Sequence, residues 1–278
     1  MRAVLLLSCP DRPGIVAEVG AFVAAGGGNI VEADQHSDPV AALFLQRIEF
    51  DVDAQVDELR AAFAPLAAQF SMRWELHDGA QRLRVALLAS RQAHCVGDLL
   101  VRAALGELPV DLALVAANHE TVGDVTTRFG IPFHYLPVDG DRSAQEQLFG
   151  ALLDEAAPDL VVLARYMLVL PEWIVDRYEE RMINIHHSFL PSFAGASPYA
   201  QAHARGVKVI GATAHYVTAH LDEGPIVAQQ VLPVSHRDDP ARLSRRGRDL
   251  ETLVLADAVR LHIEHRVIVY GRRTAVFD

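Results

Sequence analysis

The richest polar stretch in the chain is Asn184-Ile185-His186-His187-Ser188-Phe189-Leu190-Pro191, which follows the apolar start of a predicted strand. Side chains alternate between the faces of a strand, so Asn184 and His186 share one face. An amide and an imidazole side by side can stabilise an oxyanion and move a proton, the two needs of acyl transfer. The blander reading of His186 is a hydrogen-bonded histidine at a strand end. A second cluster follows the predicted strand Gly211-Ala212-Thr213-Ala214-His215-Tyr216, in the loop Val217-Thr218-Ala219-His220-Leu221-Asp222-Glu223-Gly224-Pro225. There Asp222 can hold an imidazole across the strand ends and raise its basicity. It can equally be a turn residue in a Gly-Pro loop. The set His186, His187, His215, His220 and Asp222 keeps metal-assisted hydrolysis open as a separate class, although no two-histidine helix motif accompanies it.

The elements that must position these residues fall into two groups. In the first, Val4-Leu5-Leu6-Leu7 reads as a buried strand and Pro10-Asp11-Arg12-Pro13-Gly14 as a turn. Ile15, Val16, Val19, Phe22 and Val23 then recur at helical spacing until Gly26-Gly27-Gly28 ends the run. Asn29-Ile30-Val31 opens a second strand, Ala42 to Phe50 a third and Met72 to Leu76 a fourth, with a helix through Val56, Leu59, Phe63 and Leu66 between the last two. The order βαββαβ is the ferredoxin-like, split-βαβ arrangement. His77 to Arg82 reads as a linker. This predicts one domain over residues 1–80 and a second over 83–278.

In the second group Val85-Ala86-Leu87-Leu88, Leu112-Ala113-Leu114-Val115 and Leu160-Val161-Val162-Leu163 are continuous apolar runs, as expected of strands buried on both faces of a parallel sheet. They predict a doubly wound, mostly parallel, Rossmann-like α/β domain whose ligands sit beyond the carboxyl ends of the strands. Val267 to Tyr270 and Thr274 to Phe277 form a predicted terminal hairpin around Gly271-Arg272-Arg273. Asp238 or Asp239 is the expected cap of the last long helix, and Arg242, Arg245, Arg246 and Arg248 its solvated face. His203 is expected on a surface helix.

Composition narrows the classes further. At 278 residues, with 51% apolar and 22% charged residues, wholesale disorder is excluded. A net charge of −11 has the wrong sign for neutralising a phosphate backbone, so no nucleic-acid partner is expected. Only two cysteines, Cys9 and Cys95, and no leader pattern point to a reducing, cytoplasmic setting. The longest apolar stretch is interrupted by Arg165, Pro171 and Glu172, so no membrane partner is expected either.

Asn184, His186 and Asp222, the last in a Leu-Asp-x-Gly-Pro loop, resemble the catalytic signature of the formyl-transferring folate enzymes. Further segments, Ser8 to Val16, Ala164-Arg165-Tyr166-Met167, Ile183 to Pro191, Gly211 to Tyr216 and Ser235-His236-Arg237-Asp238, are similar in this order to the formyltetrahydrofolate deformylases within that superfamily. The resemblance covers nearly the whole chain. It implies a cytoplasmic hydrolase acting on a linear amide C–N bond, which splits 10-formyltetrahydrofolate into formate and tetrahydrofolate. Such an enzyme supplies formate to purine biosynthesis and balances the one-carbon folate pool. It implies no cofactor and no metal, with Asn184, His186 and Asp222 catalytic. Folate would be bound by Arg165, Tyr166, Met167, Leu168, Val169, His187, His220 and Leu221, largely through the backbone of the 164–170 segment.

The related glycinamide ribonucleotide formyltransferases must hold a substrate phosphate, for which a Gly-rich loop after the first strand supplies backbone N–H groups. Here that stretch is Ala89-Ser90-Arg91-Gln92-Ala93-His94-Cys95, with no glycine. Water is therefore the expected acceptor, with formyl transfer to another acceptor and a non-catalytic amino-acid sensor as the alternatives. The helical arginines would then be candidates for attracting folate's polyglutamate tail. The N-terminal unit resembles an ACT domain, which implies a homo-oligomer and an amino-acid effector such as glycine or methionine near Asp11, Gly14 and Asn29. One departure is the turn Ser37-Asp38-Pro39-Val40, which is short and lacks a glycine-containing tip.

Overall fold

The run Leu5-Leu6-Leu7 carries apolar side chains to both faces of its strand, so both faces need cover. In the computed structural model, which describes residues 1–138, 140, 142–191 and 198–278, they receive it. The first unit contains β1 (Arg2–Pro10), α1 (Ile15–Ala25), β2 (Asn29–Asp38), β3 (Leu43–Asp51), α2 (Val56–Phe70) and β4 (Arg73–Asp78). The sheet order is β2-β3-β1-β4, antiparallel throughout. Leu5, Leu7, Ile48, Phe50 and Leu76 pack on one face against Ile15, Val19 and Val23 of α1 and Leu59, Phe63 and Phe70 of α2. Leu6 and Leu45 face the other way and meet Ile268 and Phe277.

That second contact corrects the expected division. The terminal hairpin, β12 (Val267–Tyr270) with β13 (Arg273–Val276), groups with the first unit, which comprises Met1–Gln81 and Leu261–Asp278, and not with the domain expected over 83–278. Two smaller boundaries also move. His77 and Asp78 belong to β4, not to a linker, and β2 runs on to Asp38 through polar residues that a hydrophobic pattern does not mark. The β2–β3 turn manages without glycine because the Asp38 carboxylate accepts hydrogen bonds from the backbone N–H groups of Val40 and Ala41, at 2.8 and 3.0 Å.

The second unit, Arg82–Arg260, is built on a seven-stranded sheet. Its elements are β5 (Leu83–Ala89), α3 (His94–Leu105), β6 (Val110–Ala117), α4 (Gly123–Thr127), β7 (Phe133–Tyr135), α5 (Arg142–Ala156), β8 (Leu160–Leu163), α6 (Glu172–Arg177), β9 (Met182–His186), α7 (Pro198–Ala204), β10 (Val209–Tyr216), β11 (Ile226–Pro233) and α8 (Pro240–Ile263). The last residues of α8 group with the first unit. Strand order is β11-β10-β9-β8-β5-β6-β7, parallel from β9 to β7 and antiparallel at β10 and β11. From β5 the chain winds out through β6 and β7, then returns to the other side of β5 as β8 and β9. The order therefore reverses between β5 and β8, and a crevice at such a reversal is where ligands of this architecture bind. No helix among the described residues is long and apolar enough to cross a membrane.

Candidate active site

β9 ends at His186, and its alternation sets Asn184 and His186 on the same face. The antiparallel register with β10 pairs His215 with Asn184 and Thr213 with His186. This register brings in a residue expected only as a candidate metal ligand. His215 lies beside Asn184, with Nε2 3.3 Å from the amide Nδ2. The other ring nitrogen, Nδ1, is 2.9 Å from the Tyr216 carbonyl, so Nδ1–H donates to the carbonyl and Nε2 is placed to accept from Asn184. One amide hydrogen of Asn184 is thereby held and the other is left to donate elsewhere. A register irregularity at Ala214/His215, where β10 meets β11, marks the place, as bulges commonly do beside reactive groups.

The loop after β10 returns Asp222 to this face. Its Oδ2 accepts from His186 Nδ1 at 3.2 Å, and its Oδ1 lies 3.7 Å from His215 Nε2. The hydrogen bond from His186 holds the Asp222 carboxyl well below the usual carboxylate range against the cost of partial burial. Asp222 itself adopts a left-handed φ of 56°, strained for a residue other than glycine. Two residues on, Gly224 runs so close to β10 that a Cβ there would lie 1.8 Å from the Tyr216 oxygen. Gly224→Ala is therefore expected to push the loop outward and cost roughly tenfold to a hundredfold in turnover, since small misplacements are expensive. Steady-state kinetics on the variant check this, and unchanged turnover would show that the loop tolerates the shift.

His186 completes the arrangement. It is buried, its Nδ1 is engaged by Asp222, and its Nε2 has no hydrogen-bond partner among the described residues. A buried imidazole with one nitrogen on a carboxylate and the other unpartnered is set up to exchange a proton at the free nitrogen. Neighbouring His187 has its ring centroid 5.0 Å away. Burial, assisted by Arg165 and His186, pushes its pKa down to about 4, so it is neutral near pH 7. The His187–Leu190 turn is pinned by Thr213, whose Oγ1 donates to the Ser188 carbonyl at 2.8 Å and accepts from Leu190 N–H at 3.1 Å.

The other expected residues lie at the same edge of the sheet. Beyond β8, residues 164–170 form an irregular segment in which Tyr166 and Leu168 are half-buried and Met167 and Val169 exposed. Ser90 Oγ accepts from Met167 N–H at 3.0 Å, and the Arg142 guanidinium donates to the Val169 carbonyl. Burial raises the Tyr166 phenol to about 12, so it remains protonated. His220 and Leu221 are exposed on the Asp222 loop. Arg165 differs from its neighbours: at φ 66° its guanidinium turns inward to Glu251.

Around Glu251 lies a second cluster that the sequence reading misses. Its carboxylate is fully buried, with Tyr199 Oη at 2.6 Å, His94 Nε2 at 2.9 Å and Arg165 Nε at 3.2 Å. His94, Arg165 and Tyr199 keep its pKa below the ordinary value despite desolvation, the largest influence and one that acts the other way. A signal exists, because Leu243, Gly247, Glu251, Leu255 and Val259 recur four apart along one face of α8. Donor atoms of His94, Cys95 and Glu251 lie within 4.8 Å of one another, the one metal-like grouping among the described residues. Its donor set does not suit a cation. The guanidinium of Arg165 already stands on Glu251, and burial raises the Cys95 thiol, which keeps it protonated. The histidine and aspartate set around Asp222 forms no such grouping among the described residues.

Elsewhere, Arg242 and Arg246 are drawn onto the buried Asp238 at 2.9 and 2.8 Å, while Asp239 caps α8 by accepting from Arg242 N–H at 2.7 Å. His203 is exposed. In the first unit Asp11, Gly14 and Asn29 are all exposed, and Gly14 stands at the N-terminus of α1 with φ 98°.

Comparison with known proteins gives a consistent neighbourhood. A formyl transferase family model matches residues 83–259 and an ACT domain model residues 3–64. The formyltetrahydrofolate deformylase of Synechocystis sp. is 50% identical over 100% of this chain and 99% of its own. The crystal structure of a formyltetrahydrofolate deformylase from Pseudomonas syringae pv. tomato superposes with TM-score 0.97 at 47% identity, covering 100% of this chain and 95% of that one. More distant is the glycinamide ribonucleotide transformylase 1 of Symbiobacterium toebii, with TM-score 0.68 and 31% identity over 73% of this chain and 97% of that one.

Proposed function

The chain, with its ACT and formyl transferase domains, belongs to the formyltetrahydrofolate deformylase family, and we propose from that premise that it hydrolyses 10-formyltetrahydrofolate to formate and tetrahydrofolate. The observation that carries a mechanism is the free, buried Nε2 of His186 backed by ionised Asp222. Water bound at Nε2 gives up a proton to it and attacks the formyl carbon. The imidazolium that forms is stabilised by Asp222 through Nδ1. Asn184 donates its free amide hydrogen to the developing oxyanion, while His215 holds the other. As the carbon–N10 bond breaks, His186 returns its proton to N10 and formate leaves. In this scheme Asp222 acts through His186, and no metal or cofactor takes part.

The pterin end is assigned to the 164–170 segment, with Tyr166, Met167, Leu168 and Val169 lining it and the backbone of Arg165 contributing; His187, His220 and Leu221 form the remaining wall. A pocket that binds the neutral pterin by backbone groups accommodates an anionic folate on a chain of net charge −11. The ACT domain supports an amino-acid effector. Glycine or methionine at Asp11, Gly14 and Asn29, in a cytoplasmic homo-oligomer, completes the reading.

Incubation with 10-formyltetrahydrofolate alone is expected to release formate stoichiometrically with tetrahydrofolate, unchanged after exhaustive chelation and altered by added glycine or methionine. Absence of formate without a second acceptor would remove the hydrolytic reading; loss of activity on chelation would bring a metal into it.

A further inference from the structure

The crevice between the carboxyl ends of β5 and β8, where this sheet architecture places a ligand, is crossed by bonds internal to the chain. Beyond β5, His94 opens α3; beyond β8, Arg165 turns inward; both end on Glu251 of α8. Tyr199 closes the remaining side. Its ring lies so close to α8 that a Cβ on Gly247 would be 2.1 Å from it, and its hydroxyl reaches Glu251 one turn further on. The cluster borders the reacting groups through His187, whose ring centroid is 5.0 Å from that of His186 and 6.3 Å from that of Tyr199.

The buried Glu251 carboxylate, two rings from the proton-transfer histidine, would attract an amine acceptor in its ammonium form as it enters the crevice. Here that carboxylate is already engaged. The Arg165 guanidinium lies against Glu251 as a protein-supplied cation, but at 3.2 Å without the alignment of a hydrogen bond, and Nε and Nη1 are buried with no hydrogen-bond partner among the described residues. A left-handed φ is unfavourable in a residue other than glycine, so the backbone at Arg165 is strained to put the guanidinium there. An enzyme optimising stability alone would place glycine at this turn.

We propose that Arg165, held on Glu251 with His94 and Tyr199, excludes amine acceptors from the reacting formyl group, so that water is the acceptor. This inference rests on the hydrolytic reading of the same site. With the guanidinium gone, an ammonium enters beside Glu251, gives up one proton to solvent and moves on as the neutral amine, whose nitrogen attacks the formyl carbon. The C–N bond to the amine forms as the bond to N10 breaks, and the second proton lost by that nitrogen passes by way of His186 to N10.

The test uses the full-length protein, 10-formyltetrahydrofolate and glycinamide, with formate and N-formylglycinamide measured together. Wild type is expected to give formate almost alone. Arg165→Gly, which suits the left-handed backbone, is expected to raise the ratio of N-formylglycinamide to formate by about tenfold or more. Arg165→Lys, which keeps a cation, should not raise it, and adding Glu251→Gln to Arg165→Gly should abolish the gain. Arg165→Gln serves if the glycine variant does not fold by thermal melting. An unchanged ratio in a folded Gly or Gln variant overturns the proposal, as does wild type that formylates glycinamide as fast as it hydrolyses. Wild type that releases no formate overturns the hydrolytic reading instead, which separates the two failures.

Discussion

Asp222→Asn is expected to lower formate release by about 10³–10⁴-fold while tetrahydrofolate binding stays within a few-fold of wild type. In the proposed mechanism the carboxylate has two effects on His186: it fixes the proton on Nδ1, leaving Nε2 as the base, and it stabilises the imidazolium formed once water has been deprotonated. An amide loses the charge, and its N–H₂ end, if turned to Nδ1, moves the ring proton to Nε2 and removes the base. The carboxyl titrates below its ordinary range in the folded protein. Its contribution to stability is therefore present above the unfolded value of about 4 and is lost as pH falls through the folded value. The melting-temperature gap between wild type and Asp222→Asn should accordingly be widest at neutral pH and close below pH about 4. Kinetics together with calorimetric binding of tetrahydrofolate make the comparison. Near-wild-type turnover would move the base elsewhere, with His187 and Glu223 the next residues to replace.

What the sequence makes legible depends on whether the responsible interaction is local. Helix and strand periods, glycine stops and continuous apolar runs report short-range geometry, so the βαββαβ unit and the parallel sheet can be read from them. The edge strand β2 is readable only at its start, because residues from Glu32 to Ser37 carry the ladder through backbone groups and leave no apolar trace. The terminal hairpin falls to the wrong unit in a sequence reading, since nothing near Ile268 or Phe277 says that their cover is the reverse face of Leu6 and Leu45. The site divides in the same way. Asn184 and His186 are two apart on one strand, and the Gly-Pro loop marks Asp222.

His215 reaches Asn184 only through the β9–β10 register, which spacing along the chain does not reveal. Glu251 is hidden by the arginines before it, which suggest a solvated helix, whereas Arg242 and Arg246 are engaged by Asp238. Family resemblance marks Arg165 for its backbone; its inward side chain depends on a left-handed φ that residue type argues against. Of the seven described residues other than glycine at positive φ, two, Asp222 and Arg165, are ones on which the proposed chemistry and the proposed acceptor choice rest.

Asn184→Ala is expected to cost about 10²–10³ in turnover with little change in folate affinity, the range for removing one oxyanion donor. The reason for the split is that the amide hydrogen left free by His215 meets its full partner only when the carbonyl oxygen becomes an oxyanion; the planar formyl group of bound substrate asks less of it. The substitution also strips His215 Nε2 of its donor beside the Asp222 carboxylate, so part of the loss passes through His215. A double-mutant cycle with His215→Ala separates the parts. If His215 acts by orienting Asn184, its replacement costs much less when Asn184→Ala is already present than it does in wild type. Full additivity would mean that His215 works independently of the amide, through Asp222 alone. Weakened folate binding with turnover unchanged would reassign Asn184 from the oxyanion to the ground-state substrate, because losing an interaction made equally before and during reaction raises KM and leaves kcat alone.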